Sequence, residues 1–292
     1  MIRILGTIFA GLLGLAFGSF LNVCLSRWPE GESVVRPRSH CRNCEHTLAW
    51  WENVPLVSWI ALRGRCRKCR AWIGWRYPLV ELIVGALWGA ATWQWSGNSF
   101  EHLIFGISPW AGVGLLALKL IFYWILIALA ILDAENFWLP NWLTLPGVGL
   151  GMLFVALDLT SSRRLFIMSH GTLYAAGALV GEILAAAALI LLIRWLYKLI
   201  RKREGMGLGD AKLMALLAAW LGLPGALLAF ALGAILGSVA ALVVLGFPAA
   251  RHGSETWAAS KLPFGTFLCI GGIVSSLWGQ PIIAAYLRWA GF

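Results

Sequence analysis

Residues 110–136 read WAGVGLLALKLIFYWILIALAILDAEN, and between Trp110 and Leu132 the only charged side chain is Lys119. Such a run exceeds the ~18–20 apolar residues that cross a bilayer as a helix, and it stops at a carboxylate, Asp133. Working outward, comparable apolar stretches cover 4–25, 79–95, 142–158, 172–193, 212–228, 229–247 and 265–286. The fold class is therefore all-α, a polytopic helical membrane protein with about eight transmembrane helices. Only the Leu-Pro-Gly turn region around Leu223–Gly225 divides 212–228 from 229–247, which also admits a re-entrant pair. The first apolar stretch is too long for the h-region of a signal peptide and reads as a helix.

Composition agrees. Of 292 residues, 60% are hydrophobic and 12% charged, where soluble domains carry roughly 25% charge, so a water-soluble globule is excluded. Unbroken apolar runs also exclude an outer-membrane barrel, whose strands alternate. The net charge of +10 reads as topology rather than nucleic-acid binding, because short cytoplasmic loops collect Lys and Arg. Eighteen of the 23 Lys and Arg fall in three segments: ten in 27–76, six in 194–212 and two in 248–263. That bias puts these segments and the 133–141 turn in the cytoplasm and both termini outside. The expected domains are 1–26, a first transmembrane helix; 27–77, a cytoplasmic polar module; and 78–292, a multi-helix membrane domain. No internal repeat is evident.

The polar module contains Cys41-Arg-Asn-Cys44 and Cys66-Arg-Lys-Cys69. Two CxxC turns at this separation aim four thiolates at one point, the ligand set of a structural zinc site. A loop of this size has little core of its own, so metal binding would supply much of its folding free energy. Arg42, Arg65, Arg67, Lys68 and Arg70 would partly offset the charge of a zinc tetrathiolate. His40 and His46 read as ordinary loop histidines. Cys24 and Cys269, in apolar helices, read as small hydrophobes.

Ionisable residues inside or at the edge of a span are costly and functional by default. Asp133 ends one apolar run, and Asp210 precedes another within Gly207-Leu208-Gly209-Asp210-Ala211-Lys212. Two carboxylates a few ångströms apart share a proton, so one can act as base on water while the other protonates the scissile group. Gly207 and Gly209 would let backbone approach an extended substrate. Two further charges lie well inside spans: Lys119, about 21 Å before Asp133, and Glu182, about 18 Å before Arg194. Their similar depth predicts an interhelical ion pair.

These motifs occur together with Gly18-Ser19-Phe20-Leu21-Asn22, Pro37-Arg38-Ser39, Asn53-Val54-Pro55-Leu56-Val57-Ser58-Trp59 and Arg76-Tyr77-Pro78-Leu79-Val80-Glu81-Leu82. The combination resembles the bacterial type IV prepilin peptidases, a branch of the GxGD intramembrane aspartyl proteases. The resemblance implies catalytic Asp133, seven residues before Pro140, and catalytic Asp210, in a GxGDxK motif with Gly207, Gly209 and Lys212. It also implies a bacterial inner-membrane enzyme that cleaves the basic leader of type IV prepilins or type II secretion pseudopilins at the cytoplasmic face. N-methylation of the new N-terminus from S-adenosylmethionine is implied too, associated with the zinc-bearing loop of Cys41, Cys44, Cys66 and Cys69. Many members place a second Asp two residues after the first, where this chain has Glu135. No Gly-rich fingerprint marks the methyl-donor site, and Glu81 is a candidate contributor.

Two other classes compete: a secondary transporter using Asp133, Asp210, Glu182 and Lys119 as an ion relay, and a zinc-dependent membrane scaffold. Cleavage of a prepilin by purified protein discriminates against both.

Overall fold

A computed structural model of the chain describes residues 1–97, 109–161, 171–202, 207–246 and 262–291. Among the described residues there are eight α-helices and no strand, only two isolated β-bridges. The helices are α1 (Ile2–Arg27), α2 (Val57–Ala61), α3 (Arg76–Gly97), α4 (Pro109–Asn136), α5 (Asn141–Ser161), α6 (Gly171–Arg201), α7 (Leu208–Gly246) and α8 (Phe264–Trp289). Six of them (α1 and α4–α8) are long and apolar enough to cross a membrane. The expected span at 79–95 forms α3 but is not among these six, because Glu81, Gln94 and Ser96 lower its hydropathy. The basic residues Arg163, Arg164, Arg203, Arg251 and Lys261, used for the orientation argument, lie outside the described residues.

The chain forms two compact units, Met1–Ile104 with Lys119–Trp124, and Phe105–Leu118 with Ile125–Phe292. In the first, α1 and α3 run antiparallel. Arg3 Nη2 donates to Trp93 O at 2.9 Å at one end, and Asn22 Nδ2 donates to Tyr77 O at 3.0 Å at the other. Glycines make the approach possible: a Cβ on Gly18 would lie 2.7 Å from Glu81 Cα, and one on Gly14 would lie 2.9 Å from Gly85 Cα. Small residues are what membrane helices use to bring backbones together, since lipid supplies no hydrophobic drive between them.

In the second unit α7 is nominally one helix, broken at Gly222 by φ 70°, ψ 173°. A side chain would make that backbone costly, so glycine is needed there. The contacts with α8 show that the chain reverses at the break. A Cβ on Gly209 or Gly265 would touch the same Leu139 Cδ1, and one on Gly272 would meet Leu217, so the first arm runs parallel to α8. On the second arm Ser275 Oγ donates to Gly225 O at 2.8 Å, and Gly233 lies against Leu268, so this arm runs antiparallel to α8. The expected spans at 212–228 and 229–247 are thus two arms of a hairpin turning at Gly222, next to the expected turn region around Leu223–Gly225. Residues 208–221 measure about 21 Å at 1.5 Å per residue, short of the ~30 Å hydrocarbon thickness.

The reversal exposes backbone donors, and α6 meets one of them. Glu182 Oε2 accepts from Leu223 N at 2.9 Å, at the start of the second arm. Glu182, expected from its depth to pair with Lys119, has this carboxylate oxygen engaged by the Leu223 N–H. In the first unit, His46 Nε2 lies 3.4 Å from Glu52 Oε2.

Candidate active site and metal centre

Asp133 stands at the C-terminal end of α4, and the local sequence fixes how the chain leaves it. Phe137 adopts a left-handed conformation, φ 51°, and its N–H donates to Asp133 O at 2.9 Å, closing the helix. Pro140 O then accepts from Thr144 N at 3.0 Å and from Thr144 Oγ1 at 3.2 Å, opening α5. The seven-residue spacing from Asp133 to Pro140 is therefore the length of one helix exit and one helix entry. Between them, Leu139 packs its side chain against Gly209 and Gly265.

Asp210 lies in the first turn of α7, where a carboxylate is favoured by the free backbone N–H groups. Its Oδ2 accepts from Gly207 N at 3.3 Å. Asp133 and Asp210 are 6% and 8% exposed. They are near enough to interact electrostatically. Lys212 Nζ reaches Asn141 Oδ1 at 2.5 Å, tying α7 to the start of α5.

Two residues that sequence reasoning missed hold Asp133. Thr266 N donates to its Oδ2 at 2.8 Å, while Thr266 Oγ1, donating to Ala130 O at 2.8 Å, stands 3.3 Å from the same oxygen. Gly265 leaves the room this needs, since a Cβ there would sit 2.9 Å from Asp133 Oδ2. The available signal was Pro263-Phe264-Gly265-Thr266, a helix start whose unpaired N–H groups suit an anion.

The four cysteines converge within the first unit. Their Sγ atoms all lie within 4.8 Å of one another, with Cys41–Cys69 at 3.8 Å and Cys44–Cys66 at 3.9 Å. A tetrahedral zinc with ~2.3 Å Zn–S bonds requires sulfur edges of about 3.8 Å, so the set is compatible with zinc. The two turns are copies of one another, 25 positions apart. Cys41 N donates to His46 O and Glu45 N to Cys41 O; Cys66 N donates to Ala71 O and Arg70 N to Cys66 O. Glu45 and Arg70 share a positive φ, 55° and 60°, and the bridges His40–Thr47 and Arg65–Trp72 close each loop. Outside the shared Cys-Arg-x-Cys the repeat is carried by backbone pairing and not by residue identity, so it does not stand out as an internal repeat in the sequence. The Ala71 backbone N–H and the Asn43 amide pull the Cys69 thiol down to about 6, while Cys44 in the same cluster is pushed up to about 11, so one thiol of the set gives up its proton more readily than its neighbour. His40 Nδ1 lies 3.1 Å from Arg38 O and His46 faces Glu52, so neither histidine is drawn into the cluster.

A helical membrane protein with two buried, interacting aspartates at helix ends, and with a separate four-thiol module, fits the class of intramembrane aspartyl enzymes. Comparison with known proteins narrows the class. Residues 12–95 match the Bacterial Peptidase A24 N-terminal domain, and residues 120–242 match the Type IV leader peptidase family. The chain is 36% identical over 302 residues to the prepilin leader peptidase/N-methyltransferase of Stutzerimonas stutzeri, covering 96% of this chain and 93% of that protein. The proteins of that name from Pseudomonas aeruginosa and Aeromonas hydrophila are 36% and 34% identical, over 96% and 94% of this chain and 93% and 92% of theirs. No solved structure matches. The chain belongs to the type IV leader peptidase family.

Proposed function

We propose that this chain is an inner-membrane aspartic endopeptidase. It removes the basic leader of type IV prepilins or type II secretion pseudopilins at the cytoplasmic face and N-methylates the residue thereby exposed. The observation that carries the reading is the pair of motif aspartates, Asp133 and Asp210, buried at two helix ends of one unit. In the proposed dyad one carboxylate is ionised and the other protonated. The ionised one takes a proton from water as the water oxygen attacks the scissile carbonyl; the other gives its proton as the tetrahedral intermediate collapses and the amine leaves. Gly207, Gly209 and Pro140 shape the approach, and Lys212 braces α7 against α5. Thr266 fixes the Asp133 carboxyl by binding Oδ2, which leaves Oδ1 for the proton.

Cys41, Cys44, Cys66 and Cys69 would hold one structural zinc, whose contribution is to fold the 27–77 module. S-adenosylmethionine would supply the methyl group. The charge bias of the loops supports a cytoplasmic placement of both activities.

The test is mass spectrometry of the N-terminus of a prepilin co-expressed with this enzyme. The expected product lacks its leader and carries one added methyl group; a full-length, unmethylated prepilin contradicts the reading. A finer test addresses the packing around Asp133. Gly265→Ala puts a methyl group 2.9 Å from where Asp133 Oδ2 now lies, so the carboxyl must shift. Cleavage kcat is expected to fall by as much as about 100-fold, with KM little changed, because small misplacements of reacting groups carry penalties of that order. Steady-state cleavage of a prepilin in detergent checks this.

A further inference from the structure

A cavity of about 640 Å³ lies inside the first unit, between the C-terminal half of α1, the start of α3 and the four-cysteine module. Its size falls in the ~300–1,000 Å³ range of small-molecule sites, and its lining has an unusual balance. In a chain of net charge +10, it is walled by two buried carboxylates, Glu52 and Glu81, 6% and 7% exposed. The three arginines in its lining are engaged elsewhere: Arg27 donates to Ser33 O and Pro37 O, both at 2.8 Å, Arg42 Nη2 reaches Ser26 O at 3.5 Å, and the Arg67 guanidinium lies 4.9 Å from the Trp51 ring centre. Asn22, 3% exposed, has its amide orientation fixed by the donation of Nδ2 to Tyr77 O. Its Oδ1 then accepts nothing among the described residues, and neither does Glu52 Oε1. Glu52 Oε2 and Glu81 Oε2 accept from Ala49 N at 2.7 Å and Leu56 N at 2.8 Å, which locks both carboxylates against the cavity wall.

Buried acceptors without donors are rare, and each asks for a partner. The occupant that fits brings positive charge and several N–H or O–H groups, and tolerates an aromatic wall at Trp59. We propose that this cavity is the binding site of the methyl donor, S-adenosylmethionine, with Asn22, Glu52 and Glu81 receiving its donor and cationic groups. The inference rests on the methyltransferase reading above. The donor's sulfonium and ammonium supply the charge, and its ribose hydroxyls and adenine amine supply the donors. In the transfer, the substrate amine's lone pair bonds the methyl carbon while the carbon–sulfur pair stays on sulfur. S-adenosylhomocysteine leaves, and the extra proton on nitrogen passes to water.

The test is equilibrium dialysis of the purified full-length enzyme in detergent against radiolabelled S-adenosylmethionine. Asn22→Leu removes an acceptor, and Val23→Trp fills the cavity from α1 without touching the hydrogen bonds above. Each is expected to weaken binding at least tenfold while zinc content and elution profile stay as in the wild type. If Asn22→Leu loses zinc or aggregates, Val23→Trp decides alone. Wild-type affinity in a well-folded Val23→Trp variant overturns the assignment. So does a wild-type enzyme that cleaves and methylates prepilin while this variant still methylates at the wild-type S-adenosylmethionine KM. A wild-type enzyme that cleaves prepilin, binds no S-adenosylmethionine and never methylates instead removes the methyltransferase reading, and the proposal with it.

Discussion

Asp133→Asn and Asp210→Asn are each expected to abolish leader cleavage, with a loss on the order of 10⁴-fold or more, as when one member of a concerted catalytic group is removed. An amide can neither take a proton from water nor return one to the leaving amine. Asn is nearly isosteric, so Thr266 N and Gly207 N keep an acceptor and the fold should survive. The measurement is prepilin cleavage by purified variants with wild-type elution profiles. Near wild-type turnover by either variant would sink the dyad assignment. Because both carboxylates take part, the wild-type pH–rate profile should be bell-shaped, with apparent values that belong to the pair.

Replacing Cys41, Cys44, Cys66 and Cys69 by Ser is expected to remove about one zinc per chain and unfold the module around residues 36–77. Structural zinc sites contribute roughly 10–16 kcal/mol of binding free energy, which is folding free energy where little else holds the segment. Among the described residues the module is built from 3₁₀ turns, the five-residue α2 and two isolated bridges, with Trp59, Trp72 and Trp75 packed edge-on and tilted at ring separations of 4.3–6.1 Å. These elements are too short to stand alone. The aspartates lie outside the module, so methylation should be lost more completely than cleavage. Elemental analysis gives the first outcome and N-terminal mass spectrometry of prepilin the second. Full methylation by metal-free protein would contradict the assignment.

The sequence by itself determined which segments are helices, because hydropathy reports whether a segment is placed in lipid or in water, a property each stretch carries alone. It also determined the two CxxC turns and the two aspartates, since a thiol pair at that spacing and a carboxylate at the edge of an apolar run each have few physical uses. What it could not decide were the meetings of distant segments. Glu182 and Lys119 look equally deep along their helices, yet Glu182 takes the Leu223 N–H. That donor becomes available only when the chain reverses at Gly222, a break that hydropathy does not register. Thr266 and Gly265 read as an unremarkable helix start until α8 brings them against Asp133. The 25-residue duplication of the cysteine turns lies in backbone hydrogen bonds, and the acceptor-lined cavity exists only because Asn22 and Glu81 come together with Glu52 from another part of the chain. Contacts of this kind depend on how closely backbones approach across tens of residues, and only the folded chain fixes that distance.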